Sequence, residues 1–306
     1  MTLDRHVVEE LRVHPGKPAD LRRRSTSSTT TDWLRAVGID HPKDVAERDL
    51  ETFRADLAAA QELLYASDTW ALLVILQALD AAGKDGTIAH VMTGVNPQGC
   101  SVTSFKQPSA EELDHDFLWR CTRALPRRGH IGIFNRSYYE DVLVARVHPE
   151  VLEREHLPAR APADQTTDAK LWHHRFEDIN AYEQHLTRNG TRIVKFFLHV
   201  SKQAQKHRFL ERLEDPSKYW KFSSADVAER AFFDAYQDAY EEAITATSTE
   251  WAPWYVIPAD HKYAMRALVG SILVGVVHEL GLSVPQPPQS ELAALDAARS
   301  ALLAEP

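Results

Sequence analysis

Trp70-Ala-Leu-Leu-Val-Ile-Leu-Gln77 runs directly into Ala78-Leu79-Asp80-Ala81-Ala82-Gly83-Lys84-Asp85-Gly86-Thr87. The first stretch is short and continuously apolar, the pattern of a strand buried on both faces, as in a parallel sheet. The second places small residues and glycines between that strand and a predicted helix. Backbone N–H groups can approach an anion closely there, and the helix adds its positive end. Lys84 is long enough to reach terminal phosphates. The strict pattern G-x-x-x-x-G-K-[ST] is not met, because Ala78 stands at its first glycine and Asp85 at its hydroxyl residue. Asp80, at the mouth of the loop, is then the first choice for the metal side, since magnesium takes one or two carboxylates together with phosphate oxygens. A turn with no ligand, and Asp80 as a local cap, are the alternatives.

Working outward, apolar runs predict further strands at 101–105, 130–134, 192–200 and 254–257. Helical patterns predict helices over 45–66, 111–125, 168–188, 201–213, 224–246, 263–280 and 293–303, with Ser223 or Ser224 opening the fifth. Strands alternating with helices imply a parallel sheet with helices on both faces, and ligands at the C-terminal ends of its strands. The reading divides the chain into an N-terminal arm over 1–44, a main domain over 45–285 and a tail helix over 286–306. The arm carries Lys17, Arg22, Arg23 and Arg24 ahead of a Ser/Thr run, and reads as a mobile arm that docks late, or as a solvated tail.

The chain has 306 residues, 44% hydrophobic and 26% charged, which excludes disorder, collagen-like sequence and coiled coil as descriptions of the whole. No apolar run reaches the roughly 18 residues of a membrane helix, and residues 1–15 lack the apolar stretch of a secretory signal. Cys100 and Cys121 alone cannot build a disulfide framework, so the expected compartment is the reducing cytoplasm. Thirty-five basic and 44 acidic residues leave a net charge of −9, a poor match to a nonspecific nucleic-acid or membrane binder. A local basic channel is still compatible with that sum.

Two more stretches carry chemistry. Asn135-Arg136-Ser137-Tyr138-Tyr139-Glu140-Asp141 follows a predicted strand, and an arginine at a strand tip can clamp phosphate bidentately. Arg188, Arg192, Lys195, Lys202, Lys206, Arg208, Arg212, Lys218 and Lys221 form a basic stretch. Most charge runs are solvated faces. Here Tyr219 and Trp220 interrupt the lysines between two helices, which suits a lid over phosphates, at about 205–235. His173-His174 lacks metal-site spacing, and no G-x-S-x-G element occurs.

Five co-linear blocks resemble the polyphosphate kinase 2 family. They are Leu76 to Gly86, Gly94-Val95-Asn96-Pro97-Gln98-Gly99 leading to Phe105-Lys106-Gln107-Pro108-Ser109, Phe117-Leu118-Trp119-Arg120, Phe134 to Leu143, and Asp215 to Lys221. The similarity spans about Leu63 to Leu280. It implies a three-layer α/β/α P-loop kinase-like fold with a helical lid. It implies phosphoryl transfer between inorganic polyphosphate and AMP, ADP or ATP, dependent on magnesium with manganese as a substitute, in a dimer or tetramer. Asn135, where the family often has aspartate, and Glu140 are similar to the subgroup acting on both nucleoside mono- and diphosphates. The resemblance implies catalytic roles for Asp80, Lys84, Arg136 and Arg208, with Asp80 on the metal. Ala82, Gly83, Asp85, Gly86, Thr87, Asn135, Glu140, Lys218 and Lys221 are expected against nucleotide or phosphate. A polyphosphate groove should be basic and salt-sensitive, and Lys106, Arg120, Arg127 and Arg128 are its expected lining. The competing readings are an ATP-dependent nucleoside monophosphate kinase and a non-catalytic regulator that binds polyphosphate or nucleotide.

Overall fold

In a computed structural model describing residues 5–27, 42–155, 157 and 165–305, six strands form one sheet. They are β1 Arg12–Val13, β2 Ala71–Gln77, β3 Cys100–Ser104, β4 Ile131–Asn135, β5 Thr191–His199 and β6 Trp254–Pro258, in the order β1-β6-β5-β2-β4-β3. Every pairing is parallel except β1 with β6. The apolar run beginning at Trp70 is the central strand. Val74 of β2 stands opposite Ile133 on one side and Val194 on the other, and Ala71 to Leu76 are at most 2% exposed. Side chains buried on both faces explain why this strand reads as a continuous apolar run.

The described helices are α1 Arg5–Leu11, α2 Pro42–Ser67, α3 Lys84–Val91, α4 Ala110–Leu113, α5 Trp119–Thr122, α6 Glu140–Val147 and α7 Glu150–Glu153. They continue with α8 Gln165–Arg188, α9 Lys202–Glu214, α10 Ser224–Glu229, α11 Phe233–Thr247, α12 Lys262–His278 and α13 Gln289–Leu303. Apolar on nearly every side, α12 is buried against α2, β5 and β6, as its composition requires. The Leu50, Phe53, Leu57 and Leu64 stripe of α2 is likewise buried.

Three sequence expectations change. Residues 5–27 are docked and are not a solvated tail: β1 extends the sheet, and Val7, Leu11, Val13, Ala19 and Leu21 are buried. Arg24, expected on a solvated arm, donates to the carbonyls of Ala19, Glu10 and Arg12. The rest of the arm, over 28–41, lies outside the described residues. The helix expected over 111–125 is two short helices, α4 and α5. The helix expected over 224–246 is interrupted by a 3₁₀ turn at Arg230–Phe232, with Ser223 accepting from Ala225 N at its start. The tail helix α13 is exposed along its length. Among the described residues no helix is long and apolar enough to cross a membrane.

Candidate active site

The loop after β2 closes on Gly83, whose φ of 109° is a left-handed conformation suited to glycine, and α3 starts at Lys84. Ala81 is also left-handed, at φ 60°. Helix α9 holds this backbone from behind. Arg208 donates through Nη1 to Ala81 O at 3.1 Å and Ala82 O at 2.7 Å, and through Nη2 to Ala259 O at 2.5 Å and Asp260 O at 3.1 Å. Gln205 Nε2 donates to Asp80 O at 3.0 Å. Lys84 Nζ donates to Ala78 O at 2.7 Å. Burial pushes the Lys84 ammonium pKa down, and the nearby Arg136 charge pushes the same way, against the pull of Asp80, Glu140 and Asp85. Extra negative charge at this point would therefore be well accommodated.

Across from the loop, the tip of β4 turns sharply at Arg136, a non-glycine residue at φ 64°. Its Nη2 donates to Asp80 Oδ1 at 2.8 Å, and its Nη1 lies 3.5 Å from Glu140 Oε2. Glu140 first, and Asp80 after it, hold the guanidinium pKa above its usual value, although burial opposes this. Asn135 Nδ2 donates to Asp85 Oδ1 at 2.6 Å. Two sparsely populated backbone conformations thus face each other where two strand tips meet, a placement common at functional sites.

These groups line a groove of about 740 Å³. Its lining includes eight lysines and arginines, Lys84, Lys106, Arg136, Arg208, Arg212, Lys218, Lys262 and Arg266, against Asp80, Asp85, Glu211 and Asp226. In a chain of net charge −9, this surface selects for anions. Lys218 and the largely exposed Trp220 reach it from a 3₁₀ turn over Pro216–Lys221, and Lys218 Nζ also meets Asp215 Oδ2 at 2.7 Å. The side chain of Lys221 lies outside the described residues. On the other side of the Asp80–Arg136 pair is a second cavity of about 200 Å³. Its walls include Leu143, Val144, Phe233, Tyr236 and Tyr240, together with Glu140.

Several expected residues stand elsewhere. Ala82 is buried and its N–H closes a turn onto Leu79 O, while the Thr87 hydroxyl donates to Gly83 O within the helix start, so neither lines the groove. Arg120 is buried, donating to Lys106 O at 2.8 Å, with Nη2 3.7 Å from Asp141 Oδ2. It shapes the Lys106 segment from behind. Arg127 and Arg128 precede β4 and so lie at the N-terminal ends of the strands, opposite the loop. Arg127 donates to His130 and Arg128 to Asn189 O, beside a separate cavity. Lys262 and Arg266 were not singled out from sequence. Two cations four residues apart at the start of a helix oppose its dipole, and that mismatch was the available signal. Arg266 Nε is buried without a hydrogen-bond partner among the described residues.

The sequence model of the family described as Polyphosphate kinase 2 (PPK2) matches residues 40–281. An "ADP-polyphosphate phosphotransferase" of Rhodopseudomonas palustris is 54% identical over 230 residues, 75% of this chain and 78% of the relative. An "AMP/ADP-polyphosphate phosphotransferase" of Meiothermus ruber is 42% identical over 280 residues, covering 92% and 96%. The crystal structure of Polyphosphate Kinase 2 from Arthrobacter aurescens TC1 superposes with a TM-score of 0.81 at 40% identity, over 95% of this chain and 96% of that one. The match extends over the loop after β2, the Asn135–Arg136 turn and the basic groove alike, and the chain belongs to the polyphosphate kinase 2 family.

Proposed function

We propose that the protein is a polyphosphate:AMP/ADP phosphotransferase, moving phosphoryl groups between inorganic polyphosphate and nucleotides. The observation that carries this reading is the cation-rich groove, which runs past a phosphate loop in an otherwise acidic chain. Polyphosphate offers charge and no base edges, so a groove lined with lysine and arginine is the recognition it needs. Family membership and the names of the relatives support the same donor, and give no support to an ATP-dependent monophosphate kinase or a non-catalytic regulator.

A terminal phosphate oxygen of the nucleotide attacks the end phosphorus of polyphosphate. A new P–O bond forms, the bridging P–O bond breaks, and the shortened polyphosphate leaves with the electron pair. The attacking oxygen is largely ionised near neutral pH, so no strong general base is required. The protein's task is alignment and charge neutralisation. In this reading Lys84 exchanges the Ala78 carbonyl for phosphate oxygens, and Arg136 clamps the transferred group. Arg208 acts from behind, keeping the loop carbonyls turned away from the phosphates. Lys106 and Lys218 guide the polyphosphate, and Trp220 closes over the groove as part of the lid. The cavity walled by Tyr236, Tyr240 and Phe233 offers an apolar seat beside Glu140.

A divalent cation, magnesium with manganese as a substitute, fits the residues present. Among the described residues no group of three or more His, Cys, Asp or Glu side chains forms a protein-only metal cage. A half-buried Asp80 carboxylate at the groove suits an ion that takes its other ligands from phosphate and water. The ion would supply charge stabilisation on the phosphoryl oxygens.

The test is ADP and ATP formation from AMP, magnesium and long-chain polyphosphate, without another donor. Lys84→Ala and Asp80→Asn are each expected to lose about 10²–10³ in kcat. Product from ADP but none from AMP would narrow the acceptor to diphosphates. Unchanged turnover in Lys84→Ala would overturn the loop assignment.

A further inference from the structure

Directly behind Arg136 the chain buries Tyr138, Tyr139, Glu183 and Lys195, each without solvent exposure. Both tyrosine hydroxyls donate to Glu183 Oε1 at 2.9 Å. Lys195 Nζ donates to Glu183 Oε2 at 2.6 Å, to the Tyr139 hydroxyl at 2.9 Å and to Thr247 O at 2.8 Å. All three ammonium hydrogens and both carboxylate oxygens are thereby satisfied. Lys195, part of the basic stretch in the sequence, therefore faces neither solvent nor groove. The cluster ties together β5, α8, the last residue of α11 and the turn after β4.

Burial of two charges is costly, and replacing such a pair by apolar residues of similar volume is often neutral or stabilising. Stability is thus a weak account of the cluster, and its location is a stronger one. Tyr138 and Tyr139 are the second and third residues after Arg136 and lead straight into Glu140. A left-handed conformation at a non-glycine residue persists only where its surroundings over-determine it. At Arg136 the front is held by its N–H on Leu76 O at 3.0 Å, and the back by the two tyrosines. Burial raises both phenol pKa values well above their usual range, so both hydroxyls stay donors.

We propose that Glu183, with Lys195 as its counter-charge, is a positioning residue for phosphoryl transfer: it anchors both tyrosines and so holds Arg136 and Glu140 in register with Asp80. This rests on the reading of Arg136 as a phosphate clamp. Glu183 acts without touching substrate.

The test measures kcat, KM for polyphosphate and for ADP, and Tm, on the full chain. The variants are Tyr138→Phe with Tyr139→Phe, the pair Glu183→Leu with Lys195→Met, and Arg136→Ala. The phenylalanine pair should stay folded and lose about 10-fold or more in kcat, with both KM values within about twofold. Added to Arg136→Ala, the same pair should cost little more, because the effect passes through Arg136. The apolar pair, which leaves both tyrosine hydroxyls and Thr247 O without these partners, should lower Tm as well as kcat. Should it fail to fold, the hydroxyl-only variants decide. Full kcat in the phenylalanine pair, alongside a large loss in Arg136→Ala, would overturn the positioning role alone. Full kcat in Arg136→Ala would overturn the clamp reading and the positioning role together.

Discussion

Asn135 stands where a carboxylate would be the obvious companion to a metal, and its neighbour explains the amide. Asp85 Oδ1 lies 2.6 Å from Asn135 Nδ2, so an aspartate there would set two carboxylates against each other. Asn135→Asp is expected to destabilise the protein by about 1–3 kcal/mol in chelator at pH 7. Magnesium should narrow that gap. Thermal melts with and without the ion check this, and an unchanged gap would mean that the extra carboxylate is solvated away from Asp85.

The loop, α9 and the segment after β6 form a unit through Arg208, whose planar fork reaches four carbonyls on two loops. A lysine keeps the charge and loses the fork. Arg208→Lys is therefore expected to lower both Tm and kcat, the latter by about 10-fold. A contact made to phosphate by charge alone would leave kcat near wild type. The interrupted helix beyond it shows the same logic. Arg230, at the 3₁₀ turn before α11, donates to Gln205 Oε1 at 2.8 Å, and Gln205 in turn holds Asp80 O. The break in periodicity falls where this segment is tied, through Gln205, to the loop after β2.

Across the molecule, cations divide between two ends of one sheet. Lys106→Ala with Lys218→Ala is expected to raise the KM for polyphosphate several-fold and flatten its salt dependence, whereas Arg127→Ala with Arg128→Ala should change neither. Kinetics at two or three salt concentrations separate the pairs. The packing behind the groove also sets a pH dependence. Burial raises the Asp141 carboxyl pKa to about 7, although Arg120 and Arg175 pull it down. A carboxyl with a raised folded pKa contributes stability that is complete below about pH 4 and lost as pH rises toward 7. Asp141→Asn should therefore gain stability relative to wild type between those limits, by up to about 4 kcal/mol. A pH series of melts on both proteins tests the sign. The wild-type profile alone would mislead, because His199, held neutral by burial at a pKa of about 4, loses its contribution as pH falls.

Local patterns were enough for the sheet, the loop and the turn. A continuous apolar run must be buried on both faces, a Gly-bearing segment between strand and helix exposes backbone N–H groups, and Arg136 follows a strand tip in the sequence itself. Those features depend on neighbours a few residues away, so they are legible in one dimension. The direction of a charged side chain is not. Arg120, Arg127 and Arg128 carry the same charge as Lys106, Lys218, Lys262 and Arg266, and only packing separates them. Residues before and after a parallel strand fall at opposite edges of the sheet, which removes Arg127 and Arg128 from the groove. A nearby carbonyl and carboxylate capture Arg120, carbonyls of two loops tie Arg208 to the groove wall, and helix α12 delivers Lys262 and Arg266 from the far end of the chain. Likewise β1 is a strand because Tyr255 and Trp254 offer it a partner edge, some 240 residues away. Contacts of that range are made by the folded chain, whose tertiary packing decided which cations face the groove.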